Sequence, residues 1–277
     1  MRLVTQEVAR QTGSVFVIDN KPGASGILGM NDLVRQAPDG LTIGYVNNVT
    51  LAINRSTFVK LPYDPTSLVP VAMITKTANV IVVRPQVPAK NLRELLAYAK
   101  ANPDKLAYAS PGQGTSGHLS GELLAMKTGA QIKHIPYRGS PQAINDLLGG
   151  QIDMMIDNLP NVLPYIRQGK LRAIAVTSLS RNQQLPDVPT VAESGFPGFE
   201  GVAWGGIAMP PGTPEPLARQ MNAVLAKAMK APAVVRYFQE TGSEITFTPD
   251  PASLTKFAES ETAKWAAVVK QAGIQPQ

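Results

Sequence analysis

Apolar residues recur along the chain in two alternating patterns: short runs that predict strands, and helically spaced sets that predict amphipathic helices. Leu3, Val4 and Val8 have helical spacing, so the sequence opens within a helix that Gly13 ends. Strands are predicted at residues 15–18, 41–46, 71–74, 79–83, 105–109, 131–136, 152–156, 171–176 and 202–209. Strands and helices that alternate at these lengths indicate a parallel, doubly wound α/β sheet.

Residues typical of helix starts lie between most of these strands. Asn91 and Thr115 are suited to accept hydrogen bonds from the first helical amides, which have no partner inside the helix. Ser140 is predicted as an N-cap, with Pro141 in the first helical position, where the missing N–H of proline costs nothing. These signals predict several helix N-termini that directly follow strands.

Two pauses in the pattern predict how the chain divides. One lies near residues 83–88 and the other near residue 210, where prolines and glycines break the periodicity. We therefore expect a discontinuous first lobe, formed by residues 1–83 and 208–277, and a second lobe formed by residues 84–207.

Composition narrows the function classes. The chain has 277 residues, of which 44% are hydrophobic and 17% charged, which suits a globular core and argues against disorder. Its net charge of +6 is spread without a basic run, so no nucleic-acid partner is expected. There is no cysteine, and the two histidines have no ligand spacing, so a metal site is not expected either.

The segment from residue 106 to 125 holds the strongest candidate chemistry. A short strand leads into a loop with Gly112 and Gly114, and the helix that follows begins at Thr115 and Ser116. The bare amides of a helix start carry partial positive charge, and hydroxyl groups stand beside them. This arrangement predicts a seat for an anion, either a phosphate or a carboxylate.

The same residues allow two other interpretations. Gly112, Gly114 and Gly117 match the G-x-G-x-x-G fingerprint of dinucleotide sites, and Arg138 would suit a 2′-phosphate, as in an NADP-dependent oxidoreductase. Ser110 and Pro111 intervene before the first glycine, and no acid–base set accompanies it. The third interpretation is a glycine turn and a capped helix with no ligand.

Long motifs in fixed order resemble one known family. They are NKPGASG from residue 20, KLPYDP from 60, YASPGQGTSGHL from 108, PYRGS from 136, DLLGGQID from 146, DNLP from 157, GKLRAIAVTS from 169 and LPDVPTVAESG from 185. In this order they resemble the Bug family, the solute receptors of tripartite tricarboxylate transporters. The matching segments cover nearly all of the chain.

The resemblance implies both a fold and a function. The fold is the type II periplasmic-binding-protein fold, with two doubly wound α/β lobes and a ligand cleft between them. The function is to capture a small carboxylate (a dicarboxylate or tricarboxylate, an amino acid or an aromatic acid) and deliver it to the membrane subunits of the transporter. It also implies a periplasmic monomer, with no catalysis and no cofactor.

Against this background, nine residues become candidate ligand contacts. Ser110, Thr115 and Ser116 are expected to contact a carboxylate, together with the amide of Gly114. The other candidates are Gly139 and Ser140 at a second helix start, Asn48 and Thr50 across the cleft, and Asp157, which could accept a hydrogen bond from a ligand amine or hydroxyl. Each also has a structural explanation as a cap or turn residue.

Four further residues are left between structural and functional roles. We expect His118 to pack against the glycine loop as a structural residue, and His134 to be an ordinary strand residue. Trp204 and Tyr137 could line the cleft or pack in the core.

The sequence departs from the family pattern at its start. Met1 corresponds to a point inside the family's first helix, so the signal, first strand and glycine-rich loop of family members have no counterpart here. We expect an exposed edge in the first lobe and weakened binding. A non-binding remnant therefore remains a further alternative.

Overall fold

The chain folds around one long strand that pairs with two different groups of strands. The structure, a computed structural model, describes residues 1–102 and 105–277. Its strands are β1 (Gly44–Asn47), β2 (Val69–Val83), β3 (Ala107–Ser110), β4 (Lys133–Pro136), β5 (Met154–Asn158), β6 (Arg172–Val176), β7 (Val202–Met209) and β8 (Glu244–Ile245). Its helices are α1 (Arg2–Thr12), α2 (Ile27–Leu33), α3 (Asn54–Thr57), α4 (Leu92–Ala101), α5 (Ser116–Thr128), α6 (Ser140–Gly149), α7 (Leu159–Arg167), α8 (Glu215–Ala228), α9 (Pro232–Thr241) and α10 (Pro251–Gln271).

Strand β2 changes partners halfway along its length. From Val69 to Ala78 it pairs antiparallel with β7, and from Asn79 to Val83 it pairs antiparallel with β5 and β6. The sheet order is β1-β7-β2-β5-β3-β4, in which β3 runs parallel to β4 and β5. One strand therefore belongs to both halves of a curled, mixed sheet. The exact lobe boundaries at residues 83 and 208 remain a prediction; the change of partners occurs between Ala78 and Asn79.

The continuity of β2 corrects the sequence analysis, which placed separate strands at residues 71–74 and 79–83. The intervening Thr75, Lys76 and Thr77 are polar, yet all three are paired with β7 in the antiparallel register. Backbone hydrogen bonds to a neighbouring strand hold a segment extended regardless of its own polarity, so the apolar pattern breaks where the strand does not.

A predicted strand at residues 15–18 is wrong. This segment follows α1 without regular structure, and the side chains of Val15 and Val17 are each 91% exposed. A strand needs a neighbour that supplies backbone hydrogen bonds, and among the described residues no strand pairs with this segment. The alternation of apolar residues alone is therefore not enough to make this segment a strand.

The helix predicted at the start of the chain is confirmed. In α1, Val4 and Val8 are buried in an apolar cluster with Val71 and Ile207, which lie on β2 and β7. Gly13 ends this helix in the left-handed conformation, with a φ of 73°, as its position predicted. The apolar stripe of α1 is thus explained by packing on the sheet.

Trp204 lies in the core rather than in a cleft. Its side chain is 2% exposed, and its indole Nε1 donates to Glu261 Oε2 over 3.1 Å. Trp265 Nε1 donates to the same oxygen over 2.9 Å. One buried carboxylate therefore joins β7 to α10 through both tryptophans of the chain.

A buried junction forms where the chain crosses between the two halves of the sheet. The Asn79 N–H donates to Thr177 Oγ1 over 2.9 Å, and Asn79 Nδ2 donates to the Gly201 carbonyl over 2.7 Å. Helix α5 joins it, because Ser116 Oγ donates to Asn79 Oδ1 over 3.2 Å and Ser120 Oγ donates to the Gly201 carbonyl over 3.0 Å. Three crossing segments and one helix start are thereby tied at a single point.

We expect Asn79→Ala to lower the free energy of unfolding by about 3 kcal/mol, because several buried groups lose their partners and a void forms. Urea unfolding followed by tryptophan fluorescence measures this. Thr77→Ala, two residues earlier on β2, removes one hydrogen bond to Ser243 Oγ at 3.1 Å and should cost at most about 1 kcal/mol. Equal losses in the two variants would contradict the central role of the junction.

Candidate functional site

The glycine loop connects β3 to α5 as the sequence predicted. Thr115 is the N-cap of α5, and its Oγ1 accepts from the His118 N–H over 3.4 Å. Gly112 and Gly114 have φ angles of +146° and +75°, which few other residues adopt. The amide of Gly114 donates to His118 Nδ1 over 3.0 Å, so this predicted anion donor already has a partner.

Three other backbone N–H groups at the start of α5 have no hydrogen-bond acceptor within the described residues. They belong to Gln113, Ser116 and Gly117, and the first backbone bond of α5 runs from the Leu119 N–H to the Thr115 carbonyl. Such amides, together with the helix dipole, attract an anion. The Ser116 hydroxyl lies within 3.2 Å of both Asn79 Oδ1 and Asn158 Oδ1, so it also serves the crossing junction.

Ser110 ends β3 and is fully buried. Its Oγ lies 2.7 Å from His134 Nε2 and accepts from the Gly112 N–H over 3.2 Å. The hydroxyl therefore holds the loop from inside. His134 is thus more than an ordinary strand residue, because its ring bonds Ser110, the last strand residue before the loop.

The second helix start, at α6, lies beside the first. The Gly139 N–H donates to the Pro111 carbonyl over 2.9 Å, which ties the two loops together. The N-cap of α6 is Gly139, with a φ of 115°, and not Ser140 as predicted. Ser140 is the first helical residue, because the preceding glycine has a positive φ and lies outside the helix, and the Ser140 Oγ accepts from Asn161 Nδ2 over 3.0 Å.

Asp157 lies at the end of β5 and is 1% exposed. Its Oδ1 accepts from the Asn158 N–H over 2.7 Å and from Asn161 Nδ2 over 3.2 Å. Burial raises the pKa of Asp157 to about 6, against the lowering effect of hydrogen bonds from Ser140, Asn158 and Asn161. The carboxylate is thus engaged at the start of α7, and it is a costly charge to keep buried.

Asn48 and Thr50 lie where β1 leads into a π-helical turn at Val49–Ile53. Thr50 Oγ1 accepts from the Asn47 N–H over 3.0 Å. Asn48 is only 3% exposed, and among the described residues its Nδ2 has no hydrogen-bond partner. Since buried polar groups are normally paired, this amide is the one candidate whose own bonding demands a further acceptor.

The structure brings the predicted residues into one region, although it does not place all of them on an open surface. The loops after β3, β4 and β5 are contiguous through Ser116, Gly139 and Asp157, as the bonds above describe. The turn after β1 meets them at Gly114, where an added Cβ would lie 3.9 Å from the Ile53 side chain. Thr50 also lines a cavity of about 470 Å³ beside the loop at residues 19–22.

Several residues of this region escaped the sequence analysis. Asn79, Asn158 and Asn161 all bond candidate residues, and Asn54 has a buried Oδ1 without a partner among the described residues. Asn79 directly precedes the apolar run Val80–Val83 of β2, and an amide side chain next to such a run is a signal that could have found it.

The three glycines of the dinucleotide fingerprint have structural explanations here. Gly112 and Gly114 adopt positive φ angles, and a Cβ on Gly117 would lie 2.2 Å from the Ile156 carbonyl oxygen. The third glycine thus allows α5 to pack closely on β5. These requirements account for the motif without a nucleotide.

Comparisons with known proteins identify the relatives of this chain. A family profile described as tripartite tricarboxylate transporter family receptor matches residues 1–274. The protein BugT of Bordetella pertussis is 35% identical over 275 residues, which are 98% of this chain and 84% of BugT. None of the described helices combines the length and apolarity needed to cross a bilayer.

Two solved structures extend the likeness to three dimensions. R. palustris Rpa4515, solved with adipate, matches with a TM-score of 0.92 at 33% identity, over 100% of this chain and 92% of that one. MatC from Rhodopseudomonas palustris, solved with bound malate, matches with a TM-score of 0.86 at 33% identity, over 97% and 92% of the two chains. These superpositions confirm the two-lobed periplasmic-binding-protein fold.

We expect Asp157→Asn to raise the free energy of unfolding by about 2 kcal/mol at pH 7.5, because it removes a buried charge whose folded pKa is above its unfolded value of 3.8. Between pH 6 and 4 the Asp157 carboxylate is protonated in the folded state but ionised in the unfolded chain. The difference in free energy of unfolding between the variant and the original chain should therefore shrink as pH falls through that window. Urea unfolding at pH 7.5 and 4.5 measures both values. Asp187→Asn, at an exposed position, should leave the free energy of unfolding unchanged at both pH values. A variant that is less stable than the original chain at both pH values would contradict this account.

Proposed function

Since the chain belongs to the tripartite tricarboxylate transporter receptor family, we propose that it captures a small carboxylate between its lobes and delivers it to transporter membrane subunits. The proposed solute is a dicarboxylate or related organic acid. The proposal extends to a periplasmic location and to a monomeric receptor, as the family resemblance implies.

The observation that carries the proposal is the unpartnered amide of Asn48. This side chain is 3% exposed, and its Nδ2 has no acceptor among the described residues. An unmet buried donor costs about 1–3 kcal/mol, and a carboxylate oxygen would remove that cost. Part of the binding free energy would then come from pairing an N–H group that is unpaired in the ligand-free protein.

The second lobe offers complementary donors. The amides of Ser116 and Gly117 begin α5, and α6 begins beside them at Gly139. Two helix starts suit a solute with two carboxylates, one end for each. The relatives solved with adipate and malate carry dicarboxylates, which supports this class for the present chain.

The side chains of this region favour binding without catalysis. Ser110 Oγ and His134 Nε2 are 2.7 Å apart, a distance also found between a nucleophile and its base. Ser110 is, however, fully buried, and within the described residues no carboxylate is recorded against His134. We infer that the pair holds the loop and performs no chemistry.

A thermal-shift screen tests the proposal. The panel contains adipate, malate, citrate, aspartate, benzoate and NADPH. A ligand at a hundred times its dissociation constant adds roughly 2.7 kcal/mol of stability, so a bound carboxylate should raise Tm by a few degrees. A shift with NADPH and none with any carboxylate would contradict the proposal.

Asn48→Leu sharpens the screen. Leucine has a similar shape and removes the unmet donor, so Tm without ligand should stay equal or rise while the carboxylate shift is largely lost. Asn222→Leu is the matched control, because Asn222 Nδ2 donates to the Val71 carbonyl over 2.7 Å and is satisfied. The control should lower Tm and keep the ligand shift. Unchanged carboxylate binding by Asn48→Leu would exclude Asn48 from the site.

A further inference from the structure

The two histidines of the chain form a stacked pair directly behind the glycine loop. Their ring centroids are 4.0 Å apart, with 21° between the ring planes. His118 is 4% exposed, and His134 is half-buried on β4. The proposed function assigns neither ring a contact with solute, so the pair needs a separate explanation.

His118 holds one end of the loop. Its Nδ1 accepts from the Gly114 N–H over 3.0 Å, which fixes the hydrogen of the neutral ring on Nε2. That Nε2 lies 3.7 Å from Glu122 Oε1, and the same oxygen accepts from the Tyr108 hydroxyl over 2.7 Å. The ring is thus oriented from two sides, and its lone pair faces the Gly114 peptide.

His134 holds the other end of the loop. Its Nε2 lies 2.7 Å from Ser110 Oγ, which in turn accepts from the Gly112 N–H over 3.2 Å. The span from Ser110 to Gly114 is therefore attached at both ends to one stacked imidazole pair. The amides of Ser116 and Gly117, which the proposed function assigns to the carboxylate, follow directly after this span.

The bond from the Gly114 amide requires a neutral His118 ring, and burial favours that state. Burial lowers the pKa of His118 to about 4, and burial together with the neighbouring His118 lowers the pKa of His134 to about 3. A proton on His118 Nδ1 would turn the acceptor of the Gly114 amide into a donor, and the two would repel each other. Glu122 and Tyr108 are the ionisable groups that face the pair from α5 and β3.

We propose that the stacked His118–His134 pair is a positioning device, which fixes the 110–114 span and thereby sets the affinity for the carboxylate without touching it. This rests on the proposed function for its effect on affinity. The structural part of the proposal, that His118 holds the Gly114 amide in place, depends only on the hydrogen bond between them.

Two substitutions of His118 separate positioning from simple packing. In His118→Asn the side-chain oxygen can occupy the place of Nδ1, whereas in His118→Gln it reaches toward the place of Nε2. We expect His118→Gln to raise the hydrogen-exchange rate of the Gly114 amide about tenfold. The Kd for the carboxylate should rise by a similar factor. His118→Asn should stay within about threefold of the original chain in both measurements.

The exchange rate is read by NMR on the ¹⁵N-labelled chain, and the Kd by titration calorimetry with malate and adipate. Equal losses in the two variants, or no loss in His118→Gln, would overturn the proposal. If neither acid binds the original chain, the proposed function fails, while the Gly114 exchange rate still decides whether His118 holds the loop.

A third variant covers the case in which His118→Gln does not fold. His134→Leu places an apolar side chain against His118 and removes the nitrogen that bonds Ser110, whose hydroxyl retains its bond to the Gly112 carbonyl at 3.0 Å. We expect a Kd about fivefold weaker with little change in Tm. An unchanged Kd would overturn the role of the pair.

Discussion

The arrangement of the site depends on one buried junction, the hydrogen bonds around Asn79. This residue is fully buried at the point where β2 exchanges β7 for β5 and β6. Its amide groups bond Thr177 and Gly201, the two other places where the chain crosses, and its Oδ1 receives the Ser116 hydroxyl. Because a buried amide group without a partner costs free energy, the bonds of Asn79 set the crossing geometry and the start of α5 together.

From that junction the site extends in two directions. Toward the second lobe, the glycine loop is held from behind by His118 and His134, and Gly139 ties the next loop to it. Toward the first lobe, the turn after β1 retains a buried donor on Asn48 that lacks a partner among the described residues. The glycine loop is thus fixed from behind while the amides of Ser116 and Gly117 lack acceptors among the described residues, and the turn after β1 carries an unpaired buried donor. Donors held in place before the solute arrives are expected of a preorganised binding site.

The parts that the sequence predicted were local. Thr115 as a helix cap, Gly13 as a helix end and β7 at Val202–Met209 each follow from neighbouring residues, and the structure confirms them. The family motifs predicted the fold class. What escaped prediction depends on distant partners: Asn79 bonds residues 98 and 122 positions away, and residues 15–18 have strand character but no neighbouring strand within residues 1–102 and 105–277. No local pattern contains that information.

The central claim is that an organic acid binds where the turn after β1 meets the start of α5. An NMR titration of the ¹⁵N-labelled chain with malate and with adipate tests it most directly. We expect the largest saturable shifts for the side-chain amide of Asn48 and the backbone amides of Ser116 and Gly117. Saturable binding that leaves all three resonances in place, and moves those of another region instead, would contradict it.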